Sequence, residues 1–110
     1  MVNFDFRISD EVVDLLNEFD ELTMDHLYDT MDMDDREIFN CLTLNLCAGT
    51  GEFTKLTSQS EAGTYIEREE YEDKLAEVLV FVFILWKFCG YDLRSALERR
   101  LVEVHEDLGV

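Results

Sequence analysis

Val12, Leu15, Leu16, Phe19, Leu22 and Leu27 fall on one side of a helix. Interleaved with them, Asp10, Asp14, Glu18, Glu21, Asp25 and Asp29 follow one another at steps of four, four, three, four and four. At roughly 100° per residue these six carboxylates fall inside an arc of about 100°, opposite the apolar positions. The pattern predicts an amphipathic helix over about 9–31, N-capped by Ser9, with Asp10 and Glu11 at the positive end of its dipole. A rise of about 1.5 Å per residue makes the acidic stripe about 28 Å long, with one carboxylate every ~6 Å.

Asp34, with Glu37 three residues on, has the form of a capping box. It opens a second predicted helix over about 34–57, through Ile38, Phe39, Leu42 and Leu46 towards Leu56. Gly49 and Gly51 interrupt that helix, and close approach by another backbone or by a ligand is the usual reason. Thr57 to Thr64, TSQSEAGT, reads as a loop. A third helix is predicted over about 66–89, with Gly90 as its C′ residue. Its interior VLVFVFILW is rich in β-branched and aromatic residues, as strands are. Helix formers from Glu67 to Leu75 lead into it without a turn signal, so it reads as a helix, buried on all sides. Asp92 caps a fourth helix over about 92–108, through Ala96, Leu97, Leu101 and Val104, which stops at Gly109.

The fold class expected is therefore all-α, a four-helix bundle in a single domain over 1–110. A helix buried all round needs more neighbours than one small bundle supplies, so a homodimer packed through the third helix is expected. The absence of proline and the presence of only five glycines favour long helices, and 47% apolar residues argue against disorder.

Charge changes the picture. The net charge is −17, and residues 1–40 hold 13 acids against two bases. Such a field repels nucleic acid and acidic membrane surfaces, and it attracts basic proteins or divalent cations. The stripe is then either a solvated helix face or a surface that competes with nucleic acid for a basic partner. Its carboxylate spacing is comparable with that of phosphates along a DNA strand, ~3.4 Å of axial rise per nucleotide plus the sideways winding. Direct nucleic-acid binding is not expected from nine scattered bases. The apolar run Val78 to Trp86 is too short to span a bilayer. The charged stretch Met1 to Asp10 has no apolar h-region, so no signal peptide is expected. Cys41, Cys47 and Cys89 form no CxxC pair and are odd in number, which fits a reducing, cytoplasmic setting.

Most site chemistry is missing. His26 and His105 are isolated, which disfavours zinc, and no GxxxxGK phosphate loop is present. Ser58, Ser60 and Ser95 have no nearby histidine to activate them. Arg94, Arg99 and Arg100 form the one basic cluster, expected to pair with acids of the chain or of its dimer mate. Glu70, Asp73 and Glu77 share a face of the third helix, and Glu52 could face them across an interhelical groove. Carboxylates converging from two helices are how bundles hold Mg²⁺.

The segments NLCAGTGEFTKL and EDKLAEVLVFVFILWKFCGYDLRSALERRL, with GYDL after the apolar helix, resemble the all-α nucleoside triphosphate pyrophosphohydrolases of the MazG type. The resemblance covers about residues 38–105. It implies a helical dimer that uses Mg²⁺ to cut a nucleotide between its α- and β-phosphates. Carried over residue by residue, Glu52 matches the last glutamate of the EExxE motif, and Ala48 and Gly49 stand at the first two. Glu77 stands for the aspartate of ExxD, with Lys74 at the preceding acid and Asp73 beside it. Arg100 matches the phosphate-binding lysine, Val104 stands at the asparagine, and Glu106 stands at a later basic position. Half of the implied metal ligands are absent and a lysine is inserted among them, which should weaken Mg²⁺ and cost most of the rate.

Two functions follow. One is a non-catalytic acidic interaction protein on a MazG-like scaffold, of the kind phage-encoded inhibitors and DNA mimics represent. No cofactor is expected for it, and its partner would be a basic protein surface. The other is a divergent pyrophosphohydrolase, with Glu52, Glu70, Asp73 and Glu77 as candidate Mg²⁺ ligands and Arg100 on a phosphate.

Overall fold

The computed structural model describes residues 9–110; the charged opening stretch read above for a signal peptide lies outside them, except for its last two residues. Among the described residues the fold is all-α. Helix α1 spans Asp10–Asp25, α2 spans Asp35–Glu61, α3 spans Arg68–Cys89 and α4 spans Leu93–Leu108. No described helix is long and apolar enough to cross a membrane.

The termini obey the local chemistry. Ser9 caps α1 through the Val12 amide. Asp34 and Glu37 cap α2 reciprocally, the Glu37 amide donating to Asp34 Oδ1 at 2.8 Å. Gly90 and Gly109 close α3 and α4 in the left-handed conformation, at φ of 66° and 70°.

Two boundaries differ from expectation. The first helix does not run as α-helix to residue 31: His26–Thr30 form a π-helical turn, closed by Met31 N–H donating to His26 O at 2.9 Å. Asp32, at φ 50°, then turns the chain into α2. The second helix runs on through Thr57–Glu61, so most of TSQSEAGT is helical. Polar side chains do not stop a helix; Gly63, at φ 95°, does.

Helices α2 and α3 form an antiparallel hairpin. Gly49 is buried because a side chain there would meet Val78: an added Cβ would lie 3.3 Å from Val78 Cγ2. Phe53 meets Tyr71 edge-on, with centroids 5.7 Å apart. Farther along, Ile38, Leu42 and Ile84 are wholly buried with Leu27 of the π turn, among Met24, Cys41, Phe81 and Phe88. This small core is the only fully enclosed one among the described residues.

Helix α3 is not buried on all sides. Ile84 alone is enclosed, and Leu75, Leu79 and Val82 are exposed on the side that α1 and α2 leave open. An apolar sequence sets what a helix can bury, and a single copy supplies too few neighbours to do it. Helix α4 is more extreme, since every residue from Leu97 onward is exposed. The radius of gyration, 17.0 Å, exceeds the ~13 Å of a compact chain of this length.

Candidate functional site

All six stripe carboxylates, Asp10, Asp14, Glu18, Glu21, Asp25 and Asp29, are exposed. The buried seam of α1, Leu16 and Asp20, continued by Leu27, faces α3 and the core from the opposite side of the helix. Asp29 stands on the π turn, so the stripe outlasts the regular helix. Among the described residues none of the six takes part in an ion pair. The apolar side of α1 is narrower than its periodicity suggests, because Leu15, Phe19 and Leu22 flank the seam and stay exposed. Together with Glu18, three of these side chains line a shallow surface depression next to the acids.

Another acid of α1 behaves differently. Asp20 is buried, and its Oδ2 lies 3.1 Å from Lys87 Nζ on α3. The same ammonium donates to Asn17 Oδ1 at 2.8 Å. This tether was not anticipated. Its signal is phase: at 100° per residue Asp20 falls within about 40° of Leu16, off the stripe and on the seam.

Glu52 and Glu77 do meet across α2 and α3, but on Lys74. Lys74 Nζ donates to Glu52 Oε2 at 2.6 Å and lies 3.6 Å from Glu77 Oε2. The Glu52 hydrogen bond is the main reason that the ammonium holds its proton more tightly than an ordinary lysine. A cation of the chain therefore stands between the two carboxylates that a divalent ion would bridge. Asp73 and Glu77 border a separate groove against Phe19 and Thr23 of α1, and Glu70 is exposed. No three Asp, Glu, His or Cys side chains among the described residues converge in a metal-holding group. Mg²⁺ coordination asks for oxygen ligands alone, and here an ammonium stands beside two of the candidate carboxylates.

Arg100 is not brought to Glu52 and Glu77, since α4 stands clear of the α2–α3 hairpin and Arg100 pairs with Glu103 of its own helix. Arg94 pairs likewise with Glu98 at 3.0 Å. Cys41 and Cys89 are half-buried and Cys47 is exposed, all three as free thiols.

A second feature has no counterpart in the sequence reading. Val13 and Leu16 of α1, Leu79, Val82, Phe83 and Trp86 of α3, Tyr91, and Leu93 at the start of α4 line an apolar groove of about 570 Å³. Among the described residues Lys87 is the only charged one on it.

Comparison of the chain with protein-family models, with curated proteins and with solved structures finds no match.

Proposed function

We propose that this chain is a non-catalytic interaction protein, a pseudoenzyme on a MazG-like helical scaffold. Its acidic helix face engages the nucleic-acid-binding surface of a basic protein, as a phage-type inhibitor or DNA mimic does in a host cytoplasm. One observation carries the reading: six exposed carboxylates lie on the side of α1 opposite its buried seam, and no ion pair among the described residues occupies them. Acids serving the fold are used differently here. Asp34 and Asp92 cap helices, and Asp20 ties α1 to α3. Among the described residues the stripe caps no helix and makes no ion pair, beyond Asp10 lying in the first turn of α1. Such a row of charge offers a basic surface the exchange that duplex DNA offers, release of small ions on contact.

The pyrophosphohydrolase alternative keeps one supporting observation, the convergence of Glu52 and Glu77 from two helices. Lys74 between them weighs against it.

The experiment separates charge placement from charge amount. A labelled duplex bound to a core histone is titrated with the chain, and displacement is followed by fluorescence anisotropy. One variant carries Asp14, Glu18, Glu21 and Asp25→Lys; a control carries Glu61, Glu69, Glu106 and Asp107→Lys. Both change the net charge equally. The wild type should displace DNA at low salt and lose potency steeply as salt rises. The stripe variant should lose at least about tenfold, and the control should stay within about threefold. Equal losses in both variants would reduce the effect to net charge and sink the stripe.

A further inference from the structure

We propose that α4 is an arm exchanged between two copies of the chain, the Leu97–Leu108 part of each helix lying in the α1/α3 groove of the other copy. Among the described residues, nothing fills the groove or covers the arm from Leu97 on in one copy. At 100° per residue Leu93, Leu97, Leu101, Val104 and Leu108 share an arc of about 80°, yet Leu97 and Leu101 are 60% and 59% exposed. A 16-residue helix with nothing to pack on is marginal in water. The groove beside it is apolar on nearly every wall and has the volume of a site that binds something. Gly90 in the left-handed conformation and the Asp92 cap start α4 at the mouth of its own groove. From Leu97 on, the helix is exposed and leaves that groove unoccupied.

Area favours a second copy over a foreign helix, and α4 is where charge opposes that contact least. The accessible surface is 8954 Å² for a chain of 12.9 kDa, against about 6,300 Å² for a compact monomer of that mass. The excess is well above the ~800 Å² per partner of a standard interface and reaches the range of obligate homodimers. A two-fold exchange fills both grooves and covers both arms at once, whereas a foreign helix would fill a groove and leave the arm bare. Arg94, Arg99 and Arg100 leave α4 with three bases against four acids. Helix α1 has seven acids and no base. Helix α4 is thus the element that approaches another acidic body with least repulsion, and Arg94 and Arg100 border its apolar arc.

The test is sedimentation and light scattering of the full chain at micromolar concentration, with two variants. Leu97→Asp with Leu101→Asp spoils the arm; Leu79→Asp with Val82→Asp spoils the groove. The wild type should be a dimer and each variant a monomer with its helical circular dichroism retained. The two variants mixed should form a heterodimer, because one sound arm then meets one sound groove. A monomeric wild type, a dimer that survives the arm substitutions, or a mixture that stays monomeric would overturn the exchange. Carbodiimide linking of mixed ¹⁴N and ¹⁵N wild-type chains reads the same contact without substitution. Links between Lys87 of one isotope and Glu98 or Glu103 of the other are expected, and their absence from a dimer would overturn it equally. None of these outcomes depends on the acidic stripe.

Discussion

The ammonium of Lys74 on α3 lies 2.6 Å from Glu52 Oε2 on α2 and 3.6 Å from Glu77 Oε2 on its own helix. Two carboxylates facing each other across a helix pair repel, and something positive must hold them there. Here the chain supplies it. Millimolar Mg²⁺ should therefore shift the Tm of the wild type no more than an equal ionic strength of NaCl does. Lys74→Glu should lower the Tm, and Mg²⁺ or Mn²⁺ should recover it, because the ion then has three carboxylates to bridge. A specific Mg²⁺ stabilisation of the wild type would mean that Lys74 yields its place to metal.

The same ammonium sets an alkaline dependence. Its folded-state pKa is raised above the ordinary 10.5, first by the Glu52 hydrogen bond, with burial opposing next and the charges of Glu52 and Glu77 then adding to the rise. A raised value means that the folded state binds the proton more tightly, so the contribution is fully present below about pH 10.5 and lost as pH rises through the folded value. Unfolding curves between pH 9 and 12 should fall less steeply for Lys74→Met than for the wild type. Asp92 has the opposite sign. The Ser95 hydroxyl and amide hold its carboxylate below the ordinary 3.8. Its cap on α4 is present above that value and is lost as pH falls through the lower folded one. Helical ellipticity at low pH should drop at a higher pH in Asp92→Ala.

Asp20 with Lys87 predicts an asymmetry. Lys87→Met leaves a buried carboxylate without its cation and should cost about 1–3 kcal/mol, several degrees of Tm. Asp20→Leu combined with Lys87→Met removes both charges and should cost less than the single substitution, since an apolar pair can pack where the ion pair stood. Chemical denaturation of these two variants and of Asp20→Leu alone decides it. A double variant as unstable as the sum of its parts would show that the pair is not a unit.

The two glycines of α2 should part company. A Cβ at Gly51 meets nothing within 4 Å, so Gly51→Ala should gain the full helix propensity, about 1 kcal/mol. A Cβ at Gly49 would lie 3.3 Å from Val78 Cγ2, so Gly49→Ala should gain less or nothing, and Gly49→Val should destabilise. Denaturation midpoints order the three; Gly49→Val as stable as wild type would contradict the close approach.

Local signals were legible where one residue type had one thing to do. Ser9, Asp34 with Glu37, and Gly90 and Gly109 mark their helix ends in the sequence, and the structure uses each of them. Helix formers before the apolar run settled helix over strand for α3. Burial was less legible, because periodicity names a face without saying whether anything covers it. Leu15, Phe19 and Leu22 on α1, and Leu75, Leu79 and Val82 on α3, have helical spacing and yet stand open. The π turn at His26–Thr30 carries no sequence signature that we identify. At the candidate site the sequence allows Glu52 to face Glu70, Asp73 and Glu77, and in the structure Glu52 and Glu77 both lie beside Lys74. That Lys74 would sit between them depends on helix register, which charge order alone does not give.

Pyrophosphate release tests the account most directly. The wild type, established as folded by circular dichroism, is assayed with Mg²⁺ and with Mn²⁺ across the common ribo- and deoxyribonucleoside triphosphates, with Glu77→Gln as control. No release above the control is expected, because Lys74 occupies the space between Glu52 and Glu77. Metal-dependent release that disappears in Glu77→Gln would contradict the non-catalytic reading and make the chain a nucleotide hydrolase.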